Sequence, residues 1–335
     1  MQEFRRENPH VSTPSRETLS QPVRRVGSLD YFGFPTFIRM VEHHPILDST
    51  NSYLKRLFTE GPGLSPAEVP IVVIADQQTA GRGREGRSWW TGRGSLAFSV
   101  GFDPTQVPGS AGKFLDLRNC CSQFGFAAGW AVAATVHDMF PGRIFYPWEI
   151  NVPPQLHPEG TADRSIGLLS PGTQPVAFGR GESAPIFLSI KWPNDVLLND
   201  RKVAGILVEV IRENAAIVGV GVNTNCSIED APPELRLRAT TLRDLTGQSC
   251  DHPHFLAVWT KHFSEVLDRL AEDPTAASQL VSSLCGHVGQ FLTVQCGEQT
   301  MSGICRGIAR DGALLLEIDG QIHHLYSAHV LELQR

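Results

Sequence analysis

After Leu284 the chain changes texture, and that change constrains its fold more than any other feature. Short β-type segments follow at close spacing, over 291–295, 301–308, 313–318, 322–326 and 330–333. The pairs Cys296-Gly297, Asp311-Gly312 and Asp319-Gly320 separate them, and Asp-Gly between β runs is a strong hairpin signal. Residues 285–335 are therefore expected to form a small, barrel-like all-β domain. The 335 residues are too many for one typical domain and fit a large domain beside this small one.

Upstream, helical and strand patterns alternate. Asp48-Ser49-Thr50-Asn51 offers N-caps for a helix, and Tyr53 to Phe58 has helical apolar spacing. Strands are expected over 69–75, 96–102, 187–191, 202–210 and 216–222, and helices over 126–140 and 255–270. Phe255, Trp259, Phe263, Leu267 and Leu270 share one face of the last helix. Residues 141–185 are crowded with Pro and Gly and read as a surface insertion. Residues 1–30 lack apolar periodicity, so residues 1–40 are expected to be a disordered, dispensable extension before a domain spanning 41–284.

Composition excludes several classes. A net charge of −6 gives no general reason to bind nucleic acid or an anionic membrane. No run approaches the roughly 20 apolar residues of a membrane helix. The seven cysteines form no C-x-x-C pair, which argues against a structural zinc site or a disulfide framework. The N-terminal stretch carries Glu3, Glu7 and Glu17 and no apolar core, unlike a targeting peptide, so the cytoplasm is the expected compartment.

Four short features carry chemistry. Gly81-Arg82-Gly83-Arg84-Glu85-Gly86-Arg87 literally matches G-x-G-x-x-G, yet Ser88-Trp89-Trp90-Thr91-Gly92 after it cannot open the helix that a dinucleotide site needs. Its glycines allow close backbone approach, and its three guanidinium groups suit phosphate; a solvated basic loop has the same composition. Trp89 could cover an aromatic base. In Lys191-Trp192-Pro193-Asn194-Asp195, Pro193 breaks the strand that Lys191 ends, which holds one cation on a rigid element. Ser49-Thr50-Asn51 is at least a helix cap. Gly219-Val220-Gly221-Val222-Asn223 alternates glycines in a strand, which suggests close approach of a ligand or backbone.

In their order, with Gln78 before the Gly-Arg loop and Lys202-Val203-Ala204-Gly205-Ile206-Leu207-Val208-Glu209 after Asp195, these features resemble the biotin protein ligase family. The likeness covers residues 41–335. It implies an α+β fold: a class II synthetase-like mixed sheet with flanking helices, then an SH3-like barrel. It implies an ATP-dependent ligase that makes biotinyl-5′-AMP and transfers biotin to a lysine of a biotin carboxyl carrier protein, such as that of acetyl-CoA carboxylase. ATP and biotin are then substrates, Mg²⁺ accompanies ATP, no protein-held metal is expected, and a homodimer is possible. By the same resemblance, Ser49, Thr50, Asn51, Gln78, Gly81, Arg82, Gly83, Arg84, Lys191 and Gly205 would bind biotin. Arg84, Arg87, Trp89, Lys191 and Asn223 would bind ATP, with Lys191 and Arg84 catalytic. A lipoate-type ligase on a related fold and a non-catalytic DNA-binding regulator are the competing readings. The family's DNA-binding winged helix has no counterpart in the polar N-terminal residues.

Overall fold

The structure, a computed structural model, describes residues 24–33, 36–60, 64, 68–103, 117–146, 185–211, 215–273 and 275–331. Among them, strands β1 (Arg24–Gly27), β2 (Met40–Leu47), β3 (Ile71–Gln78), β4 (Leu96–Phe102), β5 (Ile144–Phe145), β6 (Ile186–Lys191), β7 (Asp195–Leu198), β8 (Arg201–Ile211) and β9 (Ala215–Val222) form one sheet. Their spatial order is β1-β2-β3-β4-β9-β8-β7-β6-β5. The β2–β3 and β5–β6 pairs are parallel and the other neighbours antiparallel, so the sheet is mixed. The helices are α1 (Ser28–Phe32), α2 (Thr50–Thr59), α3 (Leu117–Met139), α4 (Pro233–Arg236), α5 (Leu242–Thr246), α6 (His252–Glu272) and α7 (Ala276–Ser283).

Side-chain alternation gives the sheet two different faces. Phe98, Val100 and Phe102 of β4, Val218 and Val220 of β9 and Ile206 of β8 join the main core under α3 and α6. Phe98 meets Trp259 edge-on at 4.9 Å, and Phe102 meets Phe124 at 5.3 Å. On the other face α2 covers Ile71, Val73, Ala75 and Ile217 with Tyr53, Leu54 and Leu57. Beside α2 that face carries Ser99, Gly219, Gly221 and Gly205, too small to fill the space above them.

The C-terminal part contains β10 (Phe291–Cys296), β11 (Gln299–Ile308), β12 (Leu314–Ile318), β13 (Gln321–Leu325) and β14 (His329–Leu331), antiparallel in the order β13-β12-β11-β10-β14. Asp319 and Gly320 form the two-residue β12–β13 turn with φ of 50° and 79°, the left-handed pair that this hairpin requires. The barrel is tied to the large sheet. Trp192 donates from Nε1 to the Gly312 carbonyl at 3.0 Å, and Ile190 N donates to Leu284 O at 2.7 Å.

The structure changes the expected N-terminal boundary. Within the extension expected over 1–40, β1 pairs with β2 from Arg24↔His43 to Gly27↔Met40, while Phe32 and Ile38 are buried in the main core. An edge strand needs only backbone donors and acceptors, and the apolar residues after it, Tyr31, Phe32, Phe37 and Ile38, are too irregularly spaced to show a helix or strand period. Residues 1–23 lie outside the described residues. So do residues 147–184, which hold most of the insertion expected over 141–185. The helix expected over 126–140 begins at Leu117. The short strand β7 lies between the strands expected over 187–191 and 202–210.

Candidate active site

The small-residue face of the sheet is the floor of a cleft of about 980 Å³. Strand register lines up its floor. Ala97 pairs with Gly221, Gly221 with Gly205, Gly205 with Asp195, and Asp195 with Lys191. Lys191 thus ends a single cross-strand row that runs over five strands. Trp89 lies on the two glycines of this row. A Cβ on Gly221 would collide with the Trp89 indole, and one on Gly205 would come within 3.0 Å of its Cζ3. The Lys202 ammonium sits 5.3 Å from the Trp89 ring centroid and pairs with Asp195 at 2.6 Å. Trp89 Nε1 is buried with no hydrogen-bond partner among the described residues.

At one end of the cleft a polar nest is built from α2, β3 and β4. Ser49 caps α2, accepting from Ser52 N. Gln78 Oε1 accepts from Thr50 N at 2.9 Å, and Gln78 Nε2 donates to Thr91 Oγ1 at 3.2 Å. Asn51 Nδ2 faces two acceptors, Leu207 O at 3.3 Å and Glu209 Oε2 at 2.9 Å. Its Oδ1 therefore turns to Ser99, whose hydroxyl donates to it at 2.6 Å. Gly219 lies beneath Asn51, where a Cβ would collide with Asn51 Oδ1. Thr50, Asn51 and Ser99 are all buried, so the nest is fixed before any ligand arrives.

The Gly-Arg loop closes over the other side as a tight turn. Gly83 N donates to Arg87 O at 2.7 Å, Arg87 N to Arg84 O at 3.1 Å, and Trp89 N to Gly81 O at 2.9 Å. Glu85 takes φ of 56° inside this turn. The three arginines are not equivalent. Arg82 is committed to Glu209 through two nitrogens, at 3.0 and 3.2 Å. Arg87 meets Glu85 at 3.3 Å and His329 of β14 at 3.4 Å. Among the described residues Arg84 pairs with Glu85 at 4.0 Å, and burial pulls its pKa below the ordinary guanidinium value, with Glu85 and Asp195 opposing and Arg87 adding to the fall. It is the least compensated cation of the loop.

Of the residues singled out in the sequence, Ser49, Thr50, Asn51, Gln78, Arg82, Gly83, Arg84, Arg87, Trp89, Lys191 and Gly205 line this cleft. Gly81 and Asn223 do not. Gly81 packs against the Trp89 carbonyl and shapes the loop. Asn223, expected at an adenine, is buried; its Nδ2 donates to Thr240 O at 3.1 Å and its Oδ1 has no hydrogen-bond partner among the described residues. Sequence reading missed Ser99, Thr91, His287 and His329. Ser99 is one hydroxyl in an apolar strand, and only its place on the Ala97-Ser99 face could have marked it.

A model of the biotin/lipoate A/B protein ligase family matches residues 44–225, which spans the row, the nest and the loop. The chain belongs to this family. The biotin–[acetyl-CoA-carboxylase] ligase of Mycobacterium tuberculosis is 30% identical over 269 residues, covering 79% of each chain. The bifunctional ligase/repressor BirA of Bacillus subtilis is 27% identical, covering 98% of this chain and 87% of that one. The biotin protein ligase of Aquifex aeolicus, solved with biotin and ATP, superposes with a TM-score of 0.62 at 24% identity, covering 87% of this chain and 98% of that one. The last likeness is one of fold: a mixed sheet with flanking helices and a C-terminal five-stranded antiparallel sheet. Family membership makes the cleft, and not a surface elsewhere, the place where ligation chemistry is to be sought.

Proposed function

We propose that this chain is a biotin protein ligase that makes biotinyl-5′-AMP from biotin and ATP and passes biotin to a lysine of an acetyl-CoA carboxylase carrier domain. The observation that carries the reading is the row Ala97-Gly221-Gly205-Asp195-Lys191, with one polar nest and one poorly compensated arginine above it. Its glycines let the Trp89 indole lie flat on the sheet, which leaves a flat, anionic ligand the space above the ring and the lysine at the row's end. In this reading the nest around Ser49, Thr50, Asn51 and Gln78 holds the polar head of biotin. A buried polar head is read selectively, because an analogue lacking it leaves fixed groups unpaired. Arg84 and Lys191 meet the carboxylate and α-phosphate and stabilise charge that develops on the phosphorus oxygens. Trp89 covers the adenine, and Arg87 faces the outgoing phosphates.

No side chain acts as nucleophile; the chain supplies position and charge. Arg82 has a narrower part than its motif implied, since it braces Glu209 and through it Asn51. Mg²⁺ enters with ATP and is held largely by phosphate oxygens and water, the usual arrangement for this ion. The names of the relatives support the carrier, and the chain's charge of −6 gives no support to a repressor role. A homodimer belongs to the proposal only as a possibility for sedimentation to decide.

The test is pyrophosphate release by the purified chain with ATP and biotin, then label transfer to an apo-carrier domain. Biotin-dependent release with transfer to one carrier lysine is expected. Equal release with lipoate, or none with biotin, overturns the assignment.

A further inference from the structure

Resting on that reading, the segment between α7 and β10 adds a group to the second step. Its backbone is bound to the end of β6. Ile190 N donates to Leu284 O at 2.7 Å, and Gly286 N donates back to Ile190 O at 3.2 Å. Gly286 packs on Ser189, 3.0 Å from an added Cβ to the Ser189 Oγ. His287 is therefore carried beside the strand end that bears Lys191, and it lines the same cleft.

The His287 imidazole is held in one tautomer. Gln290 Nε2 donates to Gly286 O at 3.0 Å, which fixes the amide and turns its Oε1 toward His287 Nδ1 at 3.3 Å. Nδ1 must then carry the hydrogen, because an amide oxygen only accepts. The lone pair is left on Nε2. That atom is buried and has no hydrogen-bond partner among the described residues. A buried acceptor without a donor costs free energy in the empty state, which is tolerated where a ligand supplies the donor. The charged groups acting on the ring are Lys191 of β6 and Asp200 of the β7–β8 turn, of opposite sign. Burial is the largest influence and keeps the ring neutral at pH 7, with Lys191 adding to it and Gln290 opposing.

We propose that His287 Nε2 accepts a proton from the incoming carrier lysine, so that the amine is neutral when it attacks the biotinyl adenylate. A carrier lysine is an ammonium at pH 7 and has no lone pair to offer. One proton passes to Nε2, giving an imidazolium. The amine nitrogen then bonds to the acyl carbon, and the carbon–oxygen bond to the phosphate breaks. Its electron pair goes to the phosphate oxygen of AMP, and the second proton leaves with that phosphate. The imidazolium returns its proton to solvent after AMP departs. Gln290 acts as a positioning residue through the ring.

The experiment separates the two half-reactions. Wild type, His287→Asn and Gln290→Glu are first loaded with biotin and ATP and assayed for pyrophosphate release. Excess loaded enzyme is then mixed with an apo-carrier domain, or with hydroxylamine, which is already neutral at pH 7. For His287→Asn, release within about threefold of wild type is expected, with carrier transfer down roughly 100-fold and transfer to hydroxylamine within about threefold. Wild-type transfer should fall on the acid side as His287 protonates, whereas the Asn variant, dependent on free amine, should rise about tenfold per pH unit from pH 6 to 9. In Gln290→Glu a carboxylate facing Nδ1 favours the imidazolium, so the acid limb should move up by about one pH unit. Carrier transfer at the wild-type rate in His287→Asn, or an unmoved limb in Gln290→Glu, overturns the proposal. So does an equal loss with hydroxylamine. If wild type itself makes no adenylate, the reading under Proposed function fails instead.

Discussion

At the scale of single residues, Lys191 and Gly221 stand at two points of one cross-strand row and should fail in opposite ways. Lys191→Ala removes the cation at the strand end while β6 keeps its pairing with Asp195. A loss of about 3 kcal/mol of transition-state stabilisation is expected, or 10²–10³-fold in pyrophosphate release, with melting unchanged. Release within tenfold of wild type would remove Lys191 from the chemistry. Gly221→Ala adds a methyl where the Trp89 indole now lies. The ring has to lift, and the ATP KM should rise at least about tenfold while biotin binding in the nest around Asn51 holds, because a lost stacking contact is worth on the order of 1.5 kcal/mol. Calorimetry with each ligand alone checks the split; weakened biotin binding together with ATP would mean that the sheet, and not the indole, was disturbed.

At the scale of elements, the Gly81–Arg87 loop and the first strand make separable demands. The loop's turn is held by its own backbone bonds, yet among the described residues Arg84 pairs with a carboxylate no closer than 4.0 Å. An adenylate phosphate would supply the missing partner, so ligand and loop should order together. Arg84→Gly removes the contact and adds a flexible residue. Adenylate should then escape before transfer and label an unrelated lysine-rich protein. Bystander labelling no greater than wild type, with adenylate still formed, would contradict this gate. Strand β1 and the buried Phe32 and Ile38 make the segment before Val41 part of the fold. Deleting residues 1–40 exposes those contacts, each buried aromatic or aliphatic side chain being worth roughly 1.5–3 kcal/mol. Thermal melting should fall by several degrees in that deletion; an unchanged melting curve would show that β1 contributes nothing. The same elements explain what was legible in the sequence. The loop, the strand-end lysine and the alternating glycines were visible because their residue types are unusual in an ordinary strand or turn. The β11–β12 and β12–β13 hairpins were visible because Asp-Gly marks their turns. Ser99, His287 and β1 were not, since each depends on a partner far along the chain: Asn51, Ile190 and β2. Asn223 stays open between the two readings, because its Nδ2 caps the Thr240 carbonyl while its buried Oδ1 has no partner among the described residues.

At the scale of the whole molecule, the ligase sheet and the barrel share one cleft, and Trp192 decides how firmly. It follows Lys191 directly, is almost fully buried, and donates its indole N–H to Gly312 of the barrel at 3.0 Å. Gly312 takes φ of 90° in the β11–β12 turn and packs on Phe126 of α3, so the accepting carbonyl is fixed from both sides. The barrel in turn carries His329 against Arg87, and Gln290 precedes its first strand. Trp192→Phe keeps an aromatic ring but leaves that carbonyl without its indole donor. The expected cost is about 1–3 kcal/mol, which lowers the melting temperature by a few degrees in a chain of this size. The effect on rate should be unequal. In the proposed reading, adenylation draws on Lys191, Arg84 and the nest, which lie on the sheet and its loop. In the proposed reading, transfer has the carrier enter between sheet and barrel. A barrel that is less firmly seated should therefore slow transfer by more than it slows pyrophosphate release. Single-turnover transfer from preloaded enzyme, set beside pyrophosphate release in the same preparation, measures the ratio. If both rates fall by the same factor, Trp192 supports the strand that bears Lys191 and has no separate part in seating the barrel.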